Sequence, residues 1–280
     1  MSSAIPEYKF KEPVSTSGFE IARMEDLVKK SRKMLYKPHR QDFYGIFYFT
    51  RSGGVHVVDF ERYPIGEGDV FIITPGQAHY FRNLDEVWGE VVLFTPYFLR
   101  HYTLLEEISA SVVLRTVVRL GGGVRSRTEK LLELLRVYYL SGIRNKEDIL
   151  KNLLEALLTE LFFHWVDTEK TAHIYHKRLI RFRRLLTAHH TVNKEVAYYA
   201  GKLHISPKTL NQSVRKATGK SAKQYISGFV LLQAKRELVH TRKSIKEIAY
   251  GLGFDEPTNF TKFFKKYEGE TPLQFRKKHG

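Results

Sequence analysis

The sequence predicts an α+β protein with a β-rich N-terminal domain and an all-α C-terminal domain. Short runs rich in Val, Ile, Phe and Tyr, separated by glycine-containing turns, follow one another between residues 40 and 95. From residue 127 the apolar residues recur every three or four positions, which is the period of an amphipathic helix. The net charge of +16 falls entirely on residues 171–280, where 23 Lys and Arg stand against 7 Asp and Glu.

Length and composition bound the class of protein. With 280 residues and 42% apolar content, the chain has enough material for two domains with cores of their own. The absence of cysteine excludes a disulfide framework and a thiolate zinc site, and it suits a reducing cytoplasm. The N-terminal MSSAIPEYKFKEP does not resemble a signal peptide, and no run approaches the ~18–20 apolar residues of a membrane span. We therefore expect a cytoplasmic protein without membrane contact.

Four runs are predicted to form strands. They are FYGIFYFT (43–50), VHVVDF (55–60), DVFIIT (69–74) and EVVLFT (90–95). Closely spaced short strands with glycine turns predict a small β-sandwich or barrel. Alternation between apolar and polar residues is only partial, because several of the runs are apolar on both faces.

Two helices, at about 127–140 and 147–165, are predicted to flank the strands. The second carries an apolar stripe formed by Ile149, Leu150, Leu153, Leu154, Leu157, Leu158, Leu161 and Phe162. A stripe this wide fits two arrangements. It either lies wholly in the core of its own domain or offers one edge to a second subunit, and we favour the homodimer.

The polar segment after Trp165 predicts the domain boundary. We expect a first domain at 1–166, a linker at 167–176 and a basic helical domain at 177–280. The concentration of positive charge in the last segment favours nucleic acid as its partner, the alternative being a merely soluble basic surface.

The helical domain contains an internal repeat. EVAYYAGKLHI (195–205) matches SIKEIAYGLGF (244–254) with an offset of 49, and the match continues with an offset of 50. Each copy predicts a helix, a tight turn and a second helix, with Ala200 and Ala249 where the two helices cross. Ser206 before Pro207 is typical of a helix start.

The second helix of each copy buries one apolar face and leaves a polar face that suits the major groove of DNA. The residues expected to contact DNA are Lys208, Thr209, Gln212, Arg215 and Lys216 on the first helix, and Thr258, Asn259, Lys262, Lys265 and Lys266 on the second. The helix between the copies spans about 27 Å, so the pair could reach successive grooves ~34 Å apart. The alternative is a helical bundle whose lysines only solvate its surface.

Residues 193–279 resemble the DNA-binding domain of the AraC/XylS family of bacterial transcription regulators. The resemblance rests on SPKTL, ATGKSAKQYI, LLQAKREL and above all SIKEIAYGLGF…NFTKFFKKYEGETPLQFR. It implies two helix-turn-helix units joined by a linker helix, asymmetric double-stranded promoter sites, and transcriptional control with RNA polymerase as a partner, usually as an activator. Val230, Gln212 and Val214 depart from residues common in the family, so the first unit is less typical than the second.

PIGEGDVFIITPGQAHYFRN (64–83) resembles the second motif of cupin barrels, which AraC-type regulators often carry as an effector pocket. Residues that could line such a pocket for a small molecule are Tyr44, Tyr48, His56, His79, Tyr80 and Trp88. For each of these residues taken singly, core packing or a backbone contact is at least as good an interpretation. A regulator that binds no ligand at all is a further alternative.

The rival function is a cupin-type metal-dependent enzyme with a basic helical appendage. A catalytic cupin usually supplies a His-x-His pair and a Glu from its first motif, whereas this chain has His56-Val57-Val58-Asp59 there. A mononuclear metal site normally needs three or more protein ligands. We therefore expect no metal, no cofactor and no catalysis.

Overall fold

The computed structural model describes residues 5–10, 18–84, 87–99, 116–166 and 172–279. The chain divides into two compact units, one of Pro6–Asp167 and the other of Thr168–Gly280 together with Met1–Ile5. They are called the N-terminal and C-terminal units below. In the part of the chain that the structure describes, no helix is both long and apolar enough to cross a membrane.

The N-terminal unit is built on two antiparallel sheets and one short parallel pair of strands. Its strands are β1 (Glu7–Tyr8), β2 (Phe19–Arg23), β3 (Arg40–Gln41), β4 (Tyr44–Phe49), β5 (Val55–Val58), β6 (Glu61–Pro64), β7 (Asp69–Ile73), β8 (His79–Arg82), β9 (Gly89–Phe94) and β10 (Val117–Arg119). The larger sheet has the order β10-β7-β4-β9-β2 and the smaller has the order β6-β5-β8, while β1 pairs with β3.

The larger sheet is buried on both faces, which explains why its strands read as continuous apolar runs. Phe47 pairs with Phe71 and with Val91, and these residues belong to a core shared with Phe81 of the smaller sheet. The alternate residues of the same strands point to the opposite face of the sheet. There Phe19 of β2 contacts Tyr139 of a helix, with 5.9 Å between the ring centroids.

Three described α-helices belong to the N-terminal unit: α1 (Met24–Leu35), α2 (Gly122–Leu140) and α3 (Lys146–Val166). The apolar stripe of α3 is mostly buried within its own unit, since Leu150, Leu154, Leu157 and Leu158 are all fully buried. Only Ile149 and Leu153 at its margin are half-buried. The exposed apolar side chains of this helix pair are Leu134, Val137 and Leu140 on α2, Ile143 in the following turn, and Phe163 on α3.

The described part of the C-terminal unit is helical. Its helices are α4 (Ala172–His189), α5 (Val196–Lys202), α6 (Pro207–Thr218), α7 (Ala222–His240), α8 (Ile245–Gly251), α9 (Pro257–Glu268) and α10 (Pro272–His279). Helix α4 begins before residue 177, where the sequence had suggested its start. Residues 167–171 of the expected linker lie outside the described residues.

Candidate nucleic-acid interface and effector barrel

The sequence repeat is a structural repeat. Helices α5 and α8 have the same length and are offset by 49 residues, while α6 and α9 have the same length and are offset by 50. The extra residue lies in the turn of the second copy, between α8 and α9. Both turns close with the same backbone hydrogen bond, from Ile205 N to Ala200 O and from Phe254 N to Ala249 O, each 3.0 Å long. We call α5–α6 the first reader and α8–α9 the second reader.

Side-chain caps fix where these helices begin. The Ser206 hydroxyl accepts a hydrogen bond from Thr209 N, ahead of Pro207 at the first helical position of α6. A capping box formed by Ser244 and Glu247 opens α8, and a second one formed by Ser221 and Gln224 opens α7. Helices α6 and α9 both end at a glycine in the left-handed conformation, Gly219 and Gly269.

Each reader is held by a small buried seam. Ala200 and Ala249 are fully buried, which allows the two helices of a reader to approach closely. Leu210 and Val214 of α6 are fully buried, as are the equivalent residues Phe260 and Phe264 of α9. In the second reader the Phe254 ring also packs on Phe260, and the Phe264 ring packs on Phe275.

The faces of α6 and α9 opposite those seams carry all ten residues predicted to contact DNA. Nine of the ten are exposed: Lys208, Gln212, Arg215, Lys216, Thr258, Asn259, Lys262, Lys265 and Lys266. Thr209 is half-buried, and its hydroxyl is hydrogen-bonded to that of Ser206 at 2.8 Å. The structure therefore collects five of the residues on each of two solvent-facing helical surfaces.

Two of the carboxylates near these surfaces are engaged away from the predicted cations. Glu268 of α9 pairs with Lys235 of α7 at 2.6 Å. Hydrogen bonds from Ser244 lower the pKa of Glu247, whose carboxylate belongs to the cap of α8. Within the described residues, the ammonium groups of Lys262 and Lys265 have no carboxylate partner. Both cations are therefore available to a polyanion.

In the N-terminal unit, His56 and His79 lie together in the interior between the two sheets. Both are fully buried, and 3.1 Å separates His56 Nε2 from His79 Nδ1. His79 Nε2 lies 3.1 Å from Gln41 Oε1, while the Gln41 amide nitrogen donates to Phe43 O. The Gln41 oxygen is thus an acceptor, so His79 donates from Nε2 and accepts from His56 at Nδ1.

This hydrogen-bond direction leaves His56 Nδ1 as a buried acceptor without a partner among the described residues. Burial lowers the pKa of His56 and of His79 well below the ordinary value, and the neighbouring His39 lowers both further. Both imidazoles are therefore neutral near pH 7. Sequence reasoning missed Gln41 and His39, because both stand in a polar stretch that is typical of a loop.

The other four residues suggested for a pocket do not face this interior. Tyr44 stacks on Phe94, with ring centroids 5.2 Å apart, and Tyr48 donates to Glu129 of α2, both on the opposite face of the larger sheet. Tyr80 is half-buried and accepts a hydrogen bond from Arg82. Trp88 is 42% exposed beneath the Arg51 guanidinium.

The described residues contain no group of three or more His, Cys, Asp or Glu arranged to hold a metal ion. His56 and His79 touch one another, and their hydrogen-bond partner is an amide rather than a third ionisable ligand.

Two family models match the chain. A helix-turn-helix domain matches residues 199–278, and an AraC-like ligand binding domain matches residues 30–162. The chain belongs to the AraC family of transcription regulators. As an AraC-type regulator it binds DNA through its helix-turn-helix domain and carries a ligand-binding domain ahead of it. The rival interpretation as a cupin enzyme finds no support in these matches.

Relatives of known function are transcription regulators as well. The chain is 24% identical over 248 residues to the HTH-type transcriptional activator RhaS of Yersinia pestis (strain Pestoides F). The alignment covers 86% of this chain and 89% of RhaS. The same identity and coverage hold for RhaS of Yersinia pseudotuberculosis serotype O:3 (strain YPIII).

Solved structures offer weaker likenesses. ToxT from Vibrio cholerae is 14% identical, with a TM-score of 0.43 over 93% of this chain and 98% of ToxT. The C-terminal domain of the response regulator yesN from Fusobacterium nucleatum is 27% identical, with a TM-score of 0.32 over 34% of this chain and 93% of that domain. Neither likeness is close enough to carry an argument about this chain.

Proposed function

We propose that helices α6 and α9 enter successive major grooves of promoter DNA. Residues near the helix starts would read base edges: Thr209, Gln212, Thr258 and Asn259. Cations would contact phosphates: Lys208, Arg215, Lys216, Lys262, Lys265 and Lys266. The observation that carries this proposal is the pair of matched helices, which present four exposed polar or basic residues on α6 and five on α9.

We further propose that a small-molecule effector regulates this binding through the barrel. His56 and His79 are the residues best placed for a ligand in the interior, because they combine full burial with an unpaired acceptor at His56 Nδ1. Tyr44, Tyr48, Tyr80 and Trp88 would meet an effector only outside that interior. The effector must bind two states of the protein with different affinity if it is to control transcription.

The remaining elements of the proposal concern assembly. The protein would act in the cytoplasm as a homodimer and an activator that contacts RNA polymerase, with domains at 1–166 and 177–280 and a linker between them. It would not be an enzyme. The exposed apolar side chains of α2 support the dimer, since Val137 and Leu140 are 54% and 73% exposed on one helix.

Mapping the chromosomal sites bound by the protein in its native host tests this function. We expect discrete sites upstream of operons, reduced transcription of those operons when the gene is deleted, and mobility shifts of the same fragments with purified protein. Uniform coverage of the chromosome, or sites without any change in neighbouring transcripts, would contradict the proposal. The identity of the neighbouring operons would indicate the chemistry of the effector.

A further inference from the structure

The turn that leads into the first reader touches the second reader directly. The turn at 191–194 follows α4 and leads into α5. Lys194 Nζ donates to Gly253 O at 2.7 Å and lies 4.6 Å from the centroid of the Phe254 ring. Burial lowers the pKa of Lys194, and the Asp255 carboxylate opposes that effect. The ammonium is thus held against the turn between α8 and α9.

The same turn is fastened to the first reader. The buried Tyr199 of α5 donates its hydroxyl hydrogen bond to Asn193 O at 2.6 Å. The Asn193 side chain accepts from Glu195 N at 2.8 Å, which fixes the entry into α5. Asn193 and Lys194 are adjacent in the chain, so their two contacts link the first reader to the second.

The repeat supplies an internal comparison for Gly253. Its equivalent in the first reader is His204, and both residues have a positive φ, +70° for Gly253 and +55° for His204. The backbone conformation alone therefore does not demand glycine. A Cβ on Gly253, however, would lie 1.7 Å from Thr191 O. Glycine is needed in the second copy because the 191–194 turn occupies the space that a side chain would fill.

Helix α7 is the other connection between the readers. Near its start Ala222 N donates to Asn211 Oδ1 of α6, and nearer its end Lys235 pairs with Glu268 of α9. Residues 241–244, which follow α7, are neither helix nor strand. A further attachment point at Gly253 opposes rotation of the second reader about α7.

We propose that Lys194 and Gly253 are positioning residues that fix α9 relative to α6 and so set the spacing between the two half-sites on DNA. The link reaches α9 through Phe254, whose ring packs on Phe260 with centroids 5.3 Å apart. Two linked binding modules gain affinity only when their geometry lets both engage at once. The inference rests on the proposed function, because it requires both readers to bind one duplex.

The probe for this inference is a duplex selected from a random pool by the wild-type, full-length protein. Two derivatives carry one base pair added or removed between the half-sites, and a third has one half-site scrambled. The variants are Lys194→Met, which removes the bond to Gly253, and Gly253→Ala, which places a methyl group against Thr191. Their controls are Lys243→Met at the repeat-equivalent position and Gly219→Ala, where φ is +72° but a Cβ meets nothing within 4 Å.

We expect wild type and both controls to prefer the selected spacing strongly. Lys194→Met and Gly253→Ala should lose about tenfold in affinity for that duplex, while affinity for the scrambled duplex changes less than about twofold. Their preference over the altered spacings should shrink to the same extent. The salt dependence of Lys194→Met binding should be unchanged, because its ammonium is not available to a phosphate.

Two results would overturn the inference. One is an undiminished spacing preference in both variants, with thermal unfolding followed by circular dichroism confirming that they are folded. The other is a salt slope that drops by about one unit in Lys194→Met, which would make that residue an ordinary phosphate contact. If wild-type protein selects no duplex at all, the proposed function itself fails and the inference fails with it.

Discussion

Burial determines the protonation state of His56 and His79 in the N-terminal unit. His56 and His79 come from different strands, and only the pairing of β5 with β8 brings their rings into contact. Desolvation then keeps both imidazoles neutral, and Gln41 fixes which nitrogen carries each proton. Exposed lysines of α9 are the opposite case, because their side chains lie in solvent, where they can meet DNA.

The buried histidines should make the N-terminal unit sensitive to acid. Their pKa is lowered in the folded state, so below the ordinary value of 6.5 the unfolded chain takes up protons that the folded chain does not. Each histidine then removes up to about 1.4 kcal/mol from the free energy of unfolding per pH unit. Both tryptophans, Trp88 and Trp165, belong to this unit, so their fluorescence during urea unfolding measures the effect.

The variant His79→Gln should weaken this pH dependence by about one proton. His204→Gln, which alters an exposed histidine of the C-terminal unit, should leave it unchanged. A free energy of unfolding that is the same at about pH 7.5 and about pH 5.5 would show that the folded protein takes up as many protons as the unfolded chain, so that the buried pair accepts protons in place.

At the same scale, Lys262→Ala and Lys265→Ala should each weaken binding to every duplex. Each lost phosphate contact should lower the slope of log K against log salt by about 0.9. Lys130→Ala, at an exposed lysine of the N-terminal unit, removes the same charge without touching either reader. Titrations of fluorescent duplexes over a range of salt concentrations measure the slope for all three variants. If the slopes of the three variants are identical, neither Lys262 nor Lys265 contacts a phosphate.

At the scale of elements, the readers are specified by local signals. Capping boxes stand at the starts of α7 and α8, and the helices of the two copies have matching lengths. The N-caps of α5 and α9 differ, since neither Glu195 nor Glu256 forms a side-chain cap. Ahead of α5, Asn193 forms a turn with the Glu195 backbone instead. That turn has the further role of reaching Gly253, a contact about 60 residues distant in sequence that no local pattern encodes.

The capping box of α8 allows a direct test of this local control. Replacing Ser244 with Ala removes the acceptor for Glu247 N and should cost about 1 kcal/mol of helix stability. Replacing it with Asp keeps an oxygen at the cap and should cost much less. Hydrogen exchange of the α8 amides in the full-length protein distinguishes Ser244→Ala from Ser244→Asp. Equal protection of these amides in both variants would mean that the cap contributes nothing to the stability of α8.

At the scale of the whole molecule, assembly depends on which apolar surface remains uncovered. The stripe of α3 that suggested a dimer is mostly used inside the N-terminal unit, where α3 packs on α2. The exposed apolar residues of α2 are what a second copy would cover. Their burial in a dimer would bring two C-terminal units onto one promoter and raise their combined affinity.

We therefore expect Val137→Glu to weaken the dimer by at least about tenfold, because a carboxylate would be buried at the centre of the interface. Ser126→Glu places the same charge at an exposed position near the start of α2 and should have little effect. Sedimentation equilibrium over a range of protein concentrations measures both dissociation constants. A wild-type chain that stays monomeric throughout would refute this surface as a dimer interface.

The sequence by itself determined the class of both units, the duplicated reader and the ten residues that its outer faces present. These follow from local propensity, helix caps and a repeat, all of which act between residues close together in the chain. Tertiary structure alone decided which of the candidate pocket residues meet. Strand register places Tyr44 and Tyr48 on the outer face of the larger sheet, whereas His56 and His79 lie in the interior between the two sheets. It also decided why Gly253 must be glycine while His204 need not be, because that depends on a backbone carbonyl brought there by folding.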